Sequence, residues 1–353
     1  VGICVDWIEK YGGAENVLKS ILDIYPNSEI WTLWCNDKEY YRQRGIKVFE
    51  SPLAKVPVKF RKPLSVIFAP FFWCNLPDRQ YKMTLISSHQ FAHFAHFKGN
   101  LNPILGYIHT PVRYIWHPEV DRRLQKLRPL LYFLRLMDKR FNSTQIIAVN
   151  SIVVQKRVKS AWQLESKVIY PPADIVDLRP SEVVKNESGD EYLVSAGRWV
   201  PYKRFDLAID VAEKSGHSLK IMGGGPERSR LLKKIEATST LVELIDNPSN
   251  EEYVEYLKGA KALIFPGIED FGIVPVEAMQ LGVPVIGIKA GGLIETVIDG
   301  TSGFLCSDLE EIVASIDKVH SLSREDIIKQ GNTFNSVIFR SSFEKWVKES
   351  FPE

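Results

Sequence analysis

Two cations five positions apart, Arg198 and Lys203, follow an apolar run at 192–196, within Gly197-Arg198-Trp199 and Pro201-Tyr202-Lys203-Arg204. At the C-terminal end of a strand, above the start of the next helix, such cations and free backbone N–H groups together make a site for a diphosphate. Either charge alone would be an ordinary solvated side chain. A second pair, Glu269 and Glu277, stands eight positions apart in Glu269-Asp270-Phe271-Gly272-Ile273-Val274-Pro275-Val276-Glu277. Pro275 suits a helix only in its first turn, where N–H groups have no intrahelical partner. The run therefore reads as a loop carrying Glu269 and a helix carrying Glu277, with open N–H groups on Gly272, Ile273 and Val274 between them. Glu269 could accept hydrogen bonds from sugar hydroxyls and Glu277 from a ribose. As plain structure, Glu269 would cap the helix and Glu277 would be a surface residue.

These residues need a frame that holds them at strand ends. From 192 onward, short β-rich runs alternate with helical patterns: strands at 192–196, 219–222, 241–245, 262–266, 283–288 and 303–306, with helices at 205–214, 227–237, 250–258 and 274–281. That is the grammar of a parallel sheet with crossover helices. The first half shows it more faintly, with strands at 1–5, 28–33, 84–87, 104–108 and 145–149 and a helix at 13–24. The expected fold class is α/β, two Rossmann-like doubly wound parallel-sheet domains facing across a cleft, where open α/β sheets bind ligands. Pro171-Pro172 and the polar stretch at 181–191 mark the border, giving domains at 1–172 and 173–334 with a linker near 171–190. Phe339, Phe343 and Trp346 share one helical face near the end, so a C-terminal helix at about 335–353 is expected to pack back on the first domain.

The 353 residues suit two domains, and 45% hydrophobic with 25% charged residues exclude a disordered, collagenous or coiled-coil chain. A net charge of +2 conceals 25 Lys and Arg against 13 Asp and Glu in residues 1–172, net +12, and 20 against 30, net −10, in the rest. The basic half suits a phosphate-rich surface, either anionic lipid head groups or nucleic acid; two domains of opposite charge that attract one another across their cleft are the plainer explanation of the split. Two segments sharpen the lipid reading: Arg122, Arg123, Lys126, Arg128, Arg135, Lys139 and Arg140 among leucines at 121–140, and a basic, then aromatic patch at 55–73. No apolar run approaches the length needed to cross a bilayer and no secretory leader is read, so a cytoplasmic protein is expected, with docking on the inner membrane face as an option. Cys4, Cys35, Cys74 and Cys306 are too scattered for a zinc or disulfide framework and read as buried thiols. His89, His93 and His96 superficially suggest a metal cluster, but no carboxylate lies among them.

Arg198 with Lys203, Gly223-Gly224-Gly225-Pro226-Glu227, the Glu269 to Glu277 run, Gly282-Val283-Pro284-Val285 and Gly291-Gly292 through Asp299-Gly300 resemble, in order and spacing, the retaining family 4 glycosyltransferases. The likeness covers about 110 residues and implies the GT-B fold, with a nucleotide-sugar donor held mainly by the second domain. First-domain segments match as well. Gly12-Gly13-Ala14-Glu15 is similar to the family's glycine loop, which approaches the donor phosphates. Tyr107-Ile108-His109-Thr110-Pro111-Val112-Arg113-Tyr114 resembles the H-T-P-x-R-Y segment of members that extend bacterial surface polysaccharides, several of them mannosyltransferases. The resemblance implies His109 at the transferred sugar, and His89 and Arg113 on the acceptor side.

The activity implied by the resemblance is transfer of a hexose, from GDP-mannose in first place and UDP-glucose next, to a glycan or a polyprenyl-linked oligosaccharide, with retention of anomeric configuration. Arg198, Lys203 and the amides after Phe271 would stabilise the leaving diphosphate; Glu269 would hold the sugar and Glu277 the ribose. Gly224 would line the donor site, and Asn247 and Tyr253 would contact the base. No divalent metal is expected, since the D-x-D run of the other major glycosyltransferase fold is missing, and the resemblance implies no cofactor and no nucleic-acid partner. A nucleotide-sugar epimerase on the same fold and a non-catalytic glycan-binding subunit are the competing readings. A dehydrogenase is disfavoured because Val5 is followed by Asp6-Trp7-Ile8 and not by a G-x-G-x-x-G loop.

Overall fold

The structure, a computed structural model, describes residues 1–10, 12–117, 128–144, 146–175 and 191–351. The chain divides into two compact units, Val1–Pro172 with Ser336–Glu353, and Ala173–Asn335.

The first unit is built on a seven-stranded sheet, all of whose pairings are parallel. Its spatial order is Lys47–Glu50, Glu29–Thr32, Gly2–Val5, Thr84–Ser88, Ile104–Ile108, Ile146–Val149 and Lys167–Val168. The order reverses between Gly2–Val5 and Thr84–Ser88, which makes the loops after those two strands the switch point where such sheets bind ligands. Alternation along each strand divides the core. Ile3, Val5 and Leu85 face one side with helix Gly13–Ile24 and the final helix Ser336–Ser350, whose Phe339, Phe343 and Trp346 are buried there. Cys4, Trp31 and Ile86 face the other with helix Val58–Cys74.

The second unit repeats the plan with six parallel strands, in the order Val242–Asp246, Ser218–Gly224, Tyr192–Arg198, Ala262–Phe265, Val285–Ile288 and Gly303–Cys306. Its switch point falls between Tyr192–Arg198 and Ala262–Phe265. Lys203 follows the first of these strands and Glu269 the second, so topology brings together two residues 66 positions apart.

The first unit departs from the sequence expectations in several places. Helix Val58–Cys74 runs through the basic-aromatic patch with Pro63 and Pro70 inside it, which a propensity argument would have broken into pieces. Strand Lys47–Glu50 and helix Lys38–Gln43 carry no readable period. Only Ala92–Phe94 forms a turn of 3-10 helix in the histidine segment; His93 is buried and His96 exposed, so the three imidazoles do not converge. Cys4, Cys35 and Cys306 are buried free thiols, whereas Cys74 is half-buried. Of the basic stretch, Arg122, Arg123 and Lys126 lie outside the described residues, as does most of the linker, while helix Arg128–Arg140 carries Arg135, Lys139 and Arg140. Among the described residues no helix is long and apolar enough to cross a membrane.

Candidate functional site

In the second unit Lys203 ends a one-turn 3-10 helix, Pro201–Lys203, and its Nζ lies 2.5 Å from Glu269 Oε1. Both side chains are largely shielded, 11% and 19% exposed. The lysine amine passes over Gly197, where a Cβ would stand 2.6 Å from Nζ, and Gly197 has φ +131°. Position 197 must therefore be glycine for both space and backbone. The Glu269 loop is pinned from behind by Gly292, whose N–H donates to the Glu269 carbonyl at 2.8 Å. Gly272 then N-caps helix Ile273–Gln280 with no side-chain hydrogen bond, leaving the first amides, on Ile273 and Val274, without a capping side chain. A cation, a carboxylate and a helix N-terminus thus meet at the sheet's switch point.

Glu277, one turn into that helix, accepts a hydrogen bond of 2.7 Å from the Tyr253 hydroxyl. Burial pushes the Glu277 carboxyl above its ordinary value, against the opposing effects of the Tyr253 hydrogen bond and of the Lys203 charge. Burial and the neighbouring Glu277 carboxylate push the Tyr253 hydroxyl well up. Tyr253, expected beside a nucleobase, has its hydroxyl engaged by Glu277. Asn247 takes a left-handed conformation, φ +46°, donates its N–H to the Gly223 carbonyl at 2.6 Å, and lays its carboxamide over Gly224. Arg198 is exposed, and no hydrogen bond or ion pair holds its side chain among the described residues. Phe271 is buried against Phe334, ring centroids 5.5 Å apart, so its side chain anchors the loop.

In the first unit the organising residue is one that no motif singles out. Asp6, fully buried at the end of strand Gly2–Val5, accepts four backbone N–H groups: His89 and Gln90 on Oδ2 at 2.8 and 2.7 Å, Phe91 and Ala92 on Oδ1 at 2.8 and 2.7 Å. The acid crosses the switch point and folds the turn after Thr84–Ser88. That turn leaves His89 half-buried, its Nδ1 3.8 Å from Asp6 and its ring edge-on to Trp7 at 4.4 Å. His109 stands beside it, centroids 6.3 Å apart, with Nε2 2.9 Å from Ser87 Oγ. Gly12 and Gly13 open the first helix, and the Glu15 carboxylate folds back over Gly12 while accepting the Glu9 N–H at 2.9 Å. Desolvation raises the Glu15 carboxyl. Arg113 opens a one-turn helix, Arg113–Trp116. The only sequence signal for Asp6 is an acid directly after an apolar strand, a pattern shared by many capping residues. Among the described residues no group of three or more His, Cys, Asp or Glu side chains is placed to hold a metal ion.

The model of the family described as glycosyl transferases group 1 matches residues 179–334, the second unit almost in full. Those residues are thus similar to the group 1 glycosyltransferases, and the chain has the GT-B fold. Anabaena Alr3699/HepE, solved in complex with UDP and glucose, is similar over 99% of both chains, at a TM-score of 0.70 and 19% identity. Among curated relatives, an uncharacterized glycosyltransferase, MJ1178, of Methanocaldococcus jannaschii is 29% identical over 58% of each chain. The alpha-1,3/1,6-mannosyltransferase ALG2 of Kluyveromyces lactis is 25% identical over 70% of this chain and 64% of its own. The chain thus spans a little under two thirds of the length of these two relatives.

Proposed function

We propose that the chain is a retaining glycosyltransferase of family 4 that moves a hexose from a nucleotide diphosphate sugar to a hydroxyl of a glycan or of a lipid-linked oligosaccharide. GDP-mannose is the favoured donor, supported by the His109 to Tyr114 segment and by the mannosyltransferase relatives. UDP-glucose is next, supported by the ligand of a structural neighbour. The role in bacterial surface polysaccharide assembly rests on the first-domain segment alone.

The observation that carries the reading is the Lys203–Glu269 pair above Gly197, beside the uncapped start of helix Ile273–Gln280. In this mechanism the bond between the sugar's anomeric carbon and the phosphate oxygen breaks with its electron pair going to the diphosphate. The acceptor oxygen bonds to the same face, and its proton passes to the departing phosphate oxygen. Lys203, Arg198 and the amides of Gly272, Ile273 and Val274 stabilise the growing negative charge, a preorganised effect worth about 3 kcal/mol per donor group. When the diphosphate draws Lys203 to itself, Glu269 is released to accept from the sugar's hydroxyls. Glu277, oriented by Tyr253, accepts from the ribose, while Asn247 and the Gly223-Gly224 crest line the nucleotide. The family resemblance assigns His109 to the transferred sugar, and His89 and Arg113 to the acceptor. No divalent ion is required, because these cations and amides supply the positive charge.

The test is donor turnover with and without acceptor, in EDTA, over a panel of nucleotide diphosphate sugars prescreened by thermal shift; a ligand at 100 times its Kd stabilises the fold by about 2.7 kcal/mol. Sugar transfer with an α-linked product from an α-linked donor supports the proposal. Epimerised donor in the absence of acceptor, or no turnover at all, refutes it.

A further inference from the structure

We propose that helices Val58–Cys74 and Arg128–Arg140 of the first unit form a docking surface for an anionic lipid bilayer. Of the 17 exposed large hydrophobic side chains among the described residues, nine fall in two short stretches, Val58, Phe60, Ile67, Phe68 and Phe71 in one, Tyr132, Phe133, Leu136 and Phe141 in the other. Scattered singly, such residues need no explanation; gathered on two stretches that pack against one aromatic cluster they mark an interaction site.

The packing beneath each helix turns these side chains outward. Along Val58–Cys74, Ser65, Ala69 and Trp73 are buried at successive i, i+4 positions, which leaves Phe60, Ile67 and Phe71 on the opposite face, the last two 72% exposed. In Arg128–Arg140 the roll of the helix is set by Asp138, fully buried, which accepts from His93 Nε2 at 2.9 Å, Trp116 Nε1 at 2.7 Å and Trp162 Nε1 at 2.6 Å. With Asp138 and Leu131 held inward, Tyr132, Phe133, Leu136, Lys139 and Arg140 occupy the outer face. Both helices cover the same aromatic cluster, through Leu64, Phe72 and Trp73 of one and Leu134 of the other, and so belong to one layer of the unit.

Charge selects the occupant. Helix Val58–Cys74 contains Lys59, Arg61 and Lys62 and no acid, and the one acid of Arg128–Arg140, Asp138, is the buried one. Exposed aromatic side chains with Lys59, Lys62, Lys139 and Arg140 exposed on the same two helices, and no exposed carboxylate on either, fit an interface of acyl chains and anionic head groups. The same helix also reaches the candidate site: Lys62 lies 3.1 Å from Glu9 and over the Trp7 ring, and Ser65 bonds Gln90 in the turn held by Asp6. A bilayer docked here therefore lies next to Trp7 and His89, which suits an acceptor carried on a lipid. That last step rests on the glycosyltransferase reading; the docking itself does not.

Flotation of the full chain with vesicles, without substrate, tests the surface. Binding is expected to vesicles of phosphatidylcholine with phosphatidylglycerol at about 50 mM NaCl, to weaken at about 500 mM, and to fail with phosphatidylcholine alone. Ile67→Ser/Phe71→Ser, at solvent-facing positions, should cut the bound fraction about tenfold while leaving the circular dichroism spectrum and turnover of a water-soluble acceptor unchanged. Leu241→Ser in the second unit should bind vesicles as the wild type does. No binding to anionic vesicles at low salt, equal binding by the double variant, or a dimer that the double variant splits would each overturn the proposal. Vesicle binding by a chain with no transferase activity would leave the docking standing and refute only the function.

Discussion

Lys203 in the second unit is balanced by a single carboxylate at 2.5 Å, whereas Asp6 in the first is held by four backbone N–H groups at 2.7 to 2.8 Å. Both stand at the switch point of a parallel sheet, yet the two arrangements serve different ends. A side-chain ion pair can be exchanged for another partner, and a diphosphate is a stronger ligand for an ammonium group than one carboxylate is. A carboxylate saturated by main-chain amides cannot let go without unfolding its turn. The second unit thus keeps its charges in a pair that can exchange partners, and the first commits its charge to shape, holding His89 in a fixed frame.

Breaking the rigid side should have the largest effect. Asp6→Ala strips the acceptor from four amides and is expected to lower unfolding free energy by about 4 kcal/mol, read by urea denaturation, with the loss located in the first unit by hydrogen exchange. A loss below about 1 kcal/mol would mean that the turn after Thr84–Ser88 holds itself together. On the exchangeable side, Lys203→Ala should reduce kcat/KM about a thousandfold with an unchanged melting temperature, and Arg198→Ala about a hundredfold; near-normal turnover in either removes that residue from the leaving-group role.

Glu277 sharpens the contrast because it is a charge the apo protein holds at a cost. Its folded pKa lies above the unfolded one, so the folded state binds the extra proton, and stability falls as pH rises from the ordinary glutamate range through the folded value. Glu277→Gln should therefore raise Tm at pH 7, by about 2 °C, and flatten the pH dependence between mildly acidic and neutral pH, while weakening donor binding about tenfold. A variant that melts lower than the wild type at pH 7 contradicts the assignment. The smallest change expected is from Tyr253→Phe, which removes one hydrogen bond to Glu277 and should raise the donor KM about threefold to fivefold with kcat little altered. A larger fall in kcat than in affinity would place Tyr253 at the reacting atoms.

The two units are not equally legible in the sequence. In the second, strand periods, glycines and the spacing from Glu269 to Glu277 all agree, and each glycine at the strand ends has a reason in the structure, since Gly197 makes room for Lys203 and Gly292 holds the Glu269 loop. Local pattern and global fold coincide there, so composition and spacing carry the site. In the first, helix Val58–Cys74 is hidden by Pro63 and Pro70, which its packing against Trp73 and the aromatic cluster overrides.

The chain's residues by themselves determined the alternation of strand and helix, the charge split between the halves, and the two short-spaced pairs Arg198 with Lys203 and Glu269 with Glu277, because each is a matter of local period or short spacing. Only the tertiary structure decided that Lys203 meets Glu269, that Tyr253 bonds Glu277, that Asp6 shapes the turn bearing His89, and that nine apolar side chains are exposed on two stretches of the first unit. Those depend on which atoms meet across tens of residues, and hydrogen-bond geometry and burial are properties of that meeting, which no run of neighbouring residues encodes.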